Sequence, residues 1–154
     1  MKQTPHADNK PKMAPCAEET AFVDLLRTTD LLSRHLAPVL KAEDLSSTQY
    51  NVLRILRGAL EGLPCGEIGN RMITRDPDIT RLLDRLEKRA LISRRRDTKD
   101  RRTVLTRITA EGLKTLARLD EPVQTAHRQL LGHLGRARLQ ALADLLRLAR
   151  AKAA

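Results

Sequence analysis

The sequence predicts a mostly α-helical chain with one small two-stranded β hairpin near its middle. Three observations predict it. Apolar residues recur at three- and four-residue steps over most of the chain, the period of a helix with one buried face. Two short helical stretches, 63–72 and 77–89, are separated by a turn of about four residues. Directly after them the runs LISRRR (91–96) and RTVLTRI (102–108) alternate as strands do, on either side of the charged tip DTKDR.

The elements follow in order. Residues 1–16 hold Pro5, Pro11 and Pro15 among polar residues and read as a disordered arm ahead of a single domain at 17–154. From Glu18, the residues Phe22, Leu25, Leu26, Thr29, Leu32 and Leu36 mark one face of a helix running to about His35, which Pro38 ends or bends. Ser46 and Gln49 form a capping box, and Leu45 with Tyr50 a hydrophobic staple, for a helix reaching about Leu60 and closed by Gly62. Asp76 reads as the N-cap of the 77–89 helix, with Pro77 in its first position. That helix gathers Ile79, Leu82, Leu83, Leu86 and Ala90 on one arc and Asp78, Arg81, Asp84, Arg85 and Lys88 on the other. Thr109 caps a helix from about Ala110 that Pro122 kinks. A last helix from Arg136 lines up Leu139, Leu142, Ala143, Leu146 and Ala149.

Charge narrows the class of function. The formal net charge of the 154 residues is +10. Between Arg71 and Arg107, thirteen cations stand against six anions, so that segment carries +7 of the total. Such a concentration points to a polyanion, nucleic acid above all. With one Phe, one Tyr and no Trp, base stacking on aromatic side chains is hardly available, which favours duplex DNA over single strands and RNA. No apolar run reaches the length of a membrane span and no signal-peptide pattern opens the chain. Cys16 and Cys65 suggest no disulfide framework, so a cytoplasmic location is the expectation.

A helix-turn-helix followed at once by a basic hairpin is a winged helix. A helix of this width enters the major groove, where each base pair shows its own donor and acceptor pattern. The hairpin tip then falls beside the adjacent minor groove, whose narrow A·T-rich stretches attract arginine. In that setting Asp100 is expected to hold Arg102 by a charge-assisted bond and aim it. The alternative for the exposed arc is a solvated face with ion pairs such as Asp78–Arg81 and Asp84–Lys88.

LSSTQYNVLRIL, DITRLLDRLEKRALISRRR and DTKDRRTVLTRITAEG resemble the MarR family of bacterial transcriptional regulators, over roughly 18–152. The resemblance implies a DNA-binding core at about 45–109 and an interlocked homodimer built by helices at about 18–41 and 110–152. It places Thr80 and Arg81 near the start of the recognition helix, and Asp100 and Arg102 in the wing. It also implies a pseudo-palindromic operator and repression relieved by a small phenolic or aromatic-acid effector. The candidate DNA-binding residues are Arg75, Asp78, Thr80, Arg81, Arg85, Arg94, Arg96, Lys99, Asp100, Arg101 and Arg102. Ala90 stands where the family has glycine, so a less tight turn is expected there. The turn RDPD is more acidic than the family's usual equivalent.

Other chemistries fit poorly. Cys16 and Cys65 are the candidates for a cysteine-based redox regulator, since a thiol at a helix start can have a lowered pKa. His127 and His133, six residues apart, lack the spacing of a chelating helical pair. No nucleophile–base pair or phosphate-binding glycine loop is present, so neither an enzyme nor a cofactor or metal is expected. The competing class is a winged-helix protein-interaction module, which a neutral or acidic wing would favour.

Overall fold

The apolar rhythm of the sequence closes around a core of leucines contributed by four helices and the base of a hairpin. The computed structural model describes residue 14 and residues 16–153, apart from 75 and 99. These described residues form six α-helices and three short strands. They are α1 (Ala17–Lys41), α2 (Ser47–Arg57), β1 (Leu63–Pro64), α3 (Cys65–Arg71), α4 (Ile79–Lys88), β2 (Ile92–Arg96), β3 (Val104–Ile108), α5 (Ala110–Leu131) and α6 (Gly135–Ala153), with one 3-10 turn at Gly132–Leu134. The chain forms two compact units, the first ending at Leu31 and the second starting at Leu32. No helix among the described residues is long and apolar enough to cross a membrane.

Pro38 does not end α1, which continues to Lys41. A helical proline forfeits one backbone bond and crowds the carbonyl four residues back. Here Leu36 and Val39 pack on the core and Leu40 is fully buried, which offsets that loss. Helix α1 then stops in a Schellman turn: Leu45 N–H donates to Leu40 O at 3.1 Å and Asp44 N–H to Lys41 O at 2.9 Å, with Asp44 at φ 53°. The capping box of α2 forms as expected, Gln49 N–H donating to Ser46 Oγ and Ser46 N–H to Gln49 Oε1. Leu45 and Tyr50 are both buried beside it. Helix α2 ends at Arg57 rather than Leu60, because Gly58 caps it and Leu60 is exposed.

Two details of the helix-turn-helix differ from expectation. The turn covers 72–78 rather than about four residues, and Asn51 Oδ1 anchors it by accepting Ile73 N–H at 2.9 Å. The N-cap of α4 is Asp78, which accepts from Arg81 N–H. Asp76 instead accepts Asp78 N–H at 2.9 Å. The nearer carboxylate closes a local turn, and the later one caps the helix.

The sheet has an extra strand. The hairpin of β2 and β3 pairs Arg94 with Thr106 and Arg96 with Val104, and β1 joins its edge by pairing Leu63 with Thr106, giving the order β1-β3-β2. Pro64 donates no hydrogen bond, which an edge strand tolerates. Beyond the sheet, α5 is helical on both sides of Pro122. Helix α6 packs against the 3-10 turn, and none of its described side chains is buried.

The step from α4 into the wing is as tight as a glycine would make it. Leu91 N–H donates to Leu86 O at 3.0 Å and Ala90 N–H to Glu87 O at 2.8 Å, while Ala90 takes φ 55°. Thr109 holds this turn: its hydroxyl donates to Ala90 O at 2.6 Å and its N–H to Leu91 O at 3.1 Å. The same Thr109 oxygen accepts Gly112 N–H and caps α5. A Cβ at Gly112 would lie 2.3 Å from Leu91 O, so helix α5 can rest on this turn only through glycine. Ala90→Gly is therefore expected to stabilise the protein by about 1 kcal/mol by relieving the left-handed alanine, raising the Tm by roughly 2–4 °C. Gly112→Ala is expected to cost about 1–3 kcal/mol through that overlap. Thermal melts of the two variants check both signs.

Candidate nucleic-acid interface

Helix α4 turns its leucines inward: Leu82, Leu83 and Leu86 are buried. Thr80, Arg81, Arg85 and Lys88 are left exposed on the other side. The ion pairs of the alternative, solvated-face reading do not form among the described residues. Asp78 is used as the helix cap, meeting the backbone and not the guanidinium of Arg81. Asp84 turns to the wing, where Arg94 Nη2 lies 2.5 Å from its Oδ1. Arg81, Arg85 and Lys88 thus make no ion pair among the described residues. Beside them, an open polar cleft of about 330 Å³ is lined by Ser46, Thr48 and Gln49 of the α2 start together with Asp76, Asp78, Arg81 and Arg85.

In the wing, Arg96, Arg101 and Arg102 are exposed near or at the tip. Asp100 does not grip the Arg102 guanidinium. It accepts Arg102 N–H at 3.0 Å and the Thr103 hydroxyl at 3.0 Å. A carboxylate reaches a backbone N–H two residues on without ordering a long side chain, so the local turn wins. The tip is closed further by Thr103 N–H to Asp100 O and Asp97 N–H to Thr103 O, both 2.9 Å. Arg75 and Lys99, also candidates from the sequence, lie outside the described residues.

Arg94 departs most from the reading of the sequence as a DNA contact. Its guanidinium is half-buried and committed to Glu87 and Asp84. The hydrogen bond from Arg94 holds the Glu87 carboxyl below the ordinary carboxylate range, and the same pairing raises the arginine.

Two further arginines were not legible as structural. Arg89, the C-cap of α4, donates to Asp44 O at 2.6 Å and Glu43 O at 2.9 Å, clasping the end of α1. Arg118 of α5 meets both oxygens of Glu43 at 2.9 and 2.8 Å, and the Glu43 carboxyl is lowered first by that bond. These partners are 45 residues or more apart in sequence, beyond any local pattern. Cys16 is exposed and Cys65 half-buried; Cys16 Sγ accepts Glu19 N–H at the start of α1.

The comparisons agree with this geometry. Residues 45–104 match the MarR family. A MarR transcription factor from Planctomyces limnophilus is 37% identical, with a TM-score of 0.66 over 89% of this chain and 99% of that one. The transcriptional repressor CouR, solved bound to a 23-mer DNA duplex, is 31% identical, with a TM-score of 0.70 over 88% and 92%. The homoprotocatechuate degradative operon repressor of Escherichia coli is 24% identical over 128 residues, 83% of this chain and 86% of that protein.

The lowered carboxyls fix a direction with pH. Glu43 and Glu87 contribute stability that is fully present above the ordinary value of 4.5 and is lost as pH falls through their lowered folded values. Glu87→Gln is expected to lower the Tm at neutral pH and to flatten its fall below about pH 4.5. A series of melts across pH measures both.

Proposed function

The chain belongs to the MarR family of DNA-binding transcriptional regulators, and from that premise we propose that it acts in the cytoplasm as a homodimeric repressor of a pseudo-palindromic operator. One observation carries the reading: the carboxylates of the basic segment serve the protein, and the cations along α4 and at the wing tip face outward. Asp76 and Asp78 close the turn before α4, Asp84 and Glu87 hold Arg94, and Asp100 shapes the wing tip. Arg81, Arg85, Arg96, Arg101 and Arg102 are left exposed. Arg81 and Arg85 serve the major groove and Arg102 the minor groove.

The dimer reading rests on apolar side chains in two helices. Phe22, Leu25, Leu26 and Leu31 of α1 are exposed, as are Leu142, Leu145 and Leu148 of α6. A second copy covers them, burying on the order of 2,000 Å². Sedimentation at micromolar concentration is expected to show a dimer; a folded monomer there would remove the half-site mechanism.

The effector reading is supported by an apolar cleft of about 230 Å³ lined by Leu32, Ser33, Leu36, His127, Leu130 and Leu131. This is below the roughly 300 Å³ at which drug-sized sites begin, and fits one aromatic ring. The E. coli relative represses an operon for degrading homoprotocatechuate, itself an aromatic acid. Single-ring phenolic acids are expected to release DNA in a gel shift, and Leu130→Trp, by filling the cleft, to abolish their effect.

DNA binding tests the reading directly. With about ten phosphates neutralised by the dimer, log K falls with log[salt] at a slope of about −9; a slope shallower than about −3 would mean that the basic segment is not the contact surface. Asp100→Ala is expected to weaken binding about tenfold, the scale of one lost specific contact. Asp100→Asn keeps an acceptor for Arg102 N–H and is expected to bind at least as tightly as the parent. If both bind more tightly, charge alone governs and the turn does not matter.

A further inference from the structure

Arg94 lies at the middle of β2, across from Thr106 of β3, on the sheet face turned toward α4. Its Nη2 and Nε reach Glu87 Oε2 at 2.6 and 2.9 Å, and its backbone N–H donates to Glu87 Oε1 at 3.0 Å. Nη2 also reaches Asp84 Oδ1 at 2.5 Å. Each of these bonds crosses from the wing to the recognition helix. Asp84 and Glu87 are three residues apart on one helix face, so a single guanidinium spans both.

We propose that Arg94 is a positioning residue for minor-groove reading: it fixes the angle between the wing and α4, and so places Arg102, without itself touching DNA. The proposal rests on the minor-groove role of Arg102 given above. Leverage explains why one brace matters. The strand from Arg94 to Asp97 covers about 10 Å at a rise of about 3.3 Å per residue, so a tilt of roughly 10° moves the tip by about 2 Å. That is the difference between a guanidinium seated in a groove and one lying on its rim. Among the described residues no other side-chain bond joins the hairpin to α4; on the opposite edge β1 pairs with β3 at Thr106 and Arg107 Nε donates to Glu61 O at 2.7 Å. The bonds that Asp100 and Thr103 make at the tip are local, and Ala90 anchors the base of the hairpin.

The rival account is electrostatic. Two carboxylates on a DNA-facing helix repel phosphates, and Arg94 offsets one of the two charges. The two accounts give opposite signs for Glu87→Gln: losing an acid tightens binding if charge governs, whereas losing half of the brace weakens it if position governs.

The experiment is a double-mutant cycle on the tightest duplex selected from a random pool, with parent, Arg102→Ala, Arg94→Met and the double variant, each checked for a native melt and dimer. Arg102→Ala is expected to weaken the parent about tenfold and the Arg94→Met protein less than about twofold, since a displaced tip has little left to lose. Independent, multiplying losses overturn the proposal. If Arg102→Ala has no effect even in the parent, the minor-groove reading fails and this proposal falls with it, an outcome separable from the first. Should Arg94→Met not fold, Glu87→Gln decides: weaker binding by several-fold supports the brace, and tighter binding overturns it.

Discussion

The two carbonyls of Ala90 and Leu91 are the point on which the winged-helix part of the molecule turns. Helix α4 ends there in a left-handed alanine, β2 begins, and Thr109 returns from β3 to bond both carbonyls. Gly112 lets α5 press directly onto the same backbone. Helix α4, the wing and the long helix α5 thus share one hydrogen-bonded junction. A residue in the left-handed region costs on the order of 1–2 kcal/mol without glycine, and surrounding bonds must over-determine it. Thr109 supplies them.

Around that junction the division of charge is consistent. A segment with seven excess cations gains little from pairing its acids at the surface, because exposed pairs contribute little. Instead the acids sit where a charged acceptor is worth most: at a helix N-terminus, under a backbone N–H, and against a half-buried guanidinium. Each shapes the backbone that presents a cation. The clasp of Arg89 on the carbonyls of Glu43 and Asp44 extends this logic to α1, whose second half lines the apolar cleft. That clasp ties the end of α1 to the C-terminal end of α4.

What the sequence discloses follows the range of the interaction. Ser46 and Gln49, or Thr109 and Gly112, interact three residues apart, and such spacing is visible in a string of letters. The period of α4 and the alternation of the wing are visible for the same reason. Strand β1 is two residues long, too short to show a period. Pro38 reads as a stop because its local cost is known, whereas the burial of Leu40 that offsets it is tertiary. Asp76 and Asp78 are both plausible caps by composition, and only the backbone conformation between them assigns the roles. Arg94 looks like every other arginine of its run. Its partners lie seven and ten residues back, across a turn whose geometry had to be known first.

The central claim is that two copies of this winged helix read two grooves each, and selection of bound sequences from a random duplex pool tests it most directly. The account predicts an inverted repeat with half-site centres about one helical turn apart, roughly 34–36 Å, and a preference for A·T pairs flanking each half-site where the wing lies. Enrichment of a single, unrepeated motif, or of no motif at all, would contradict it.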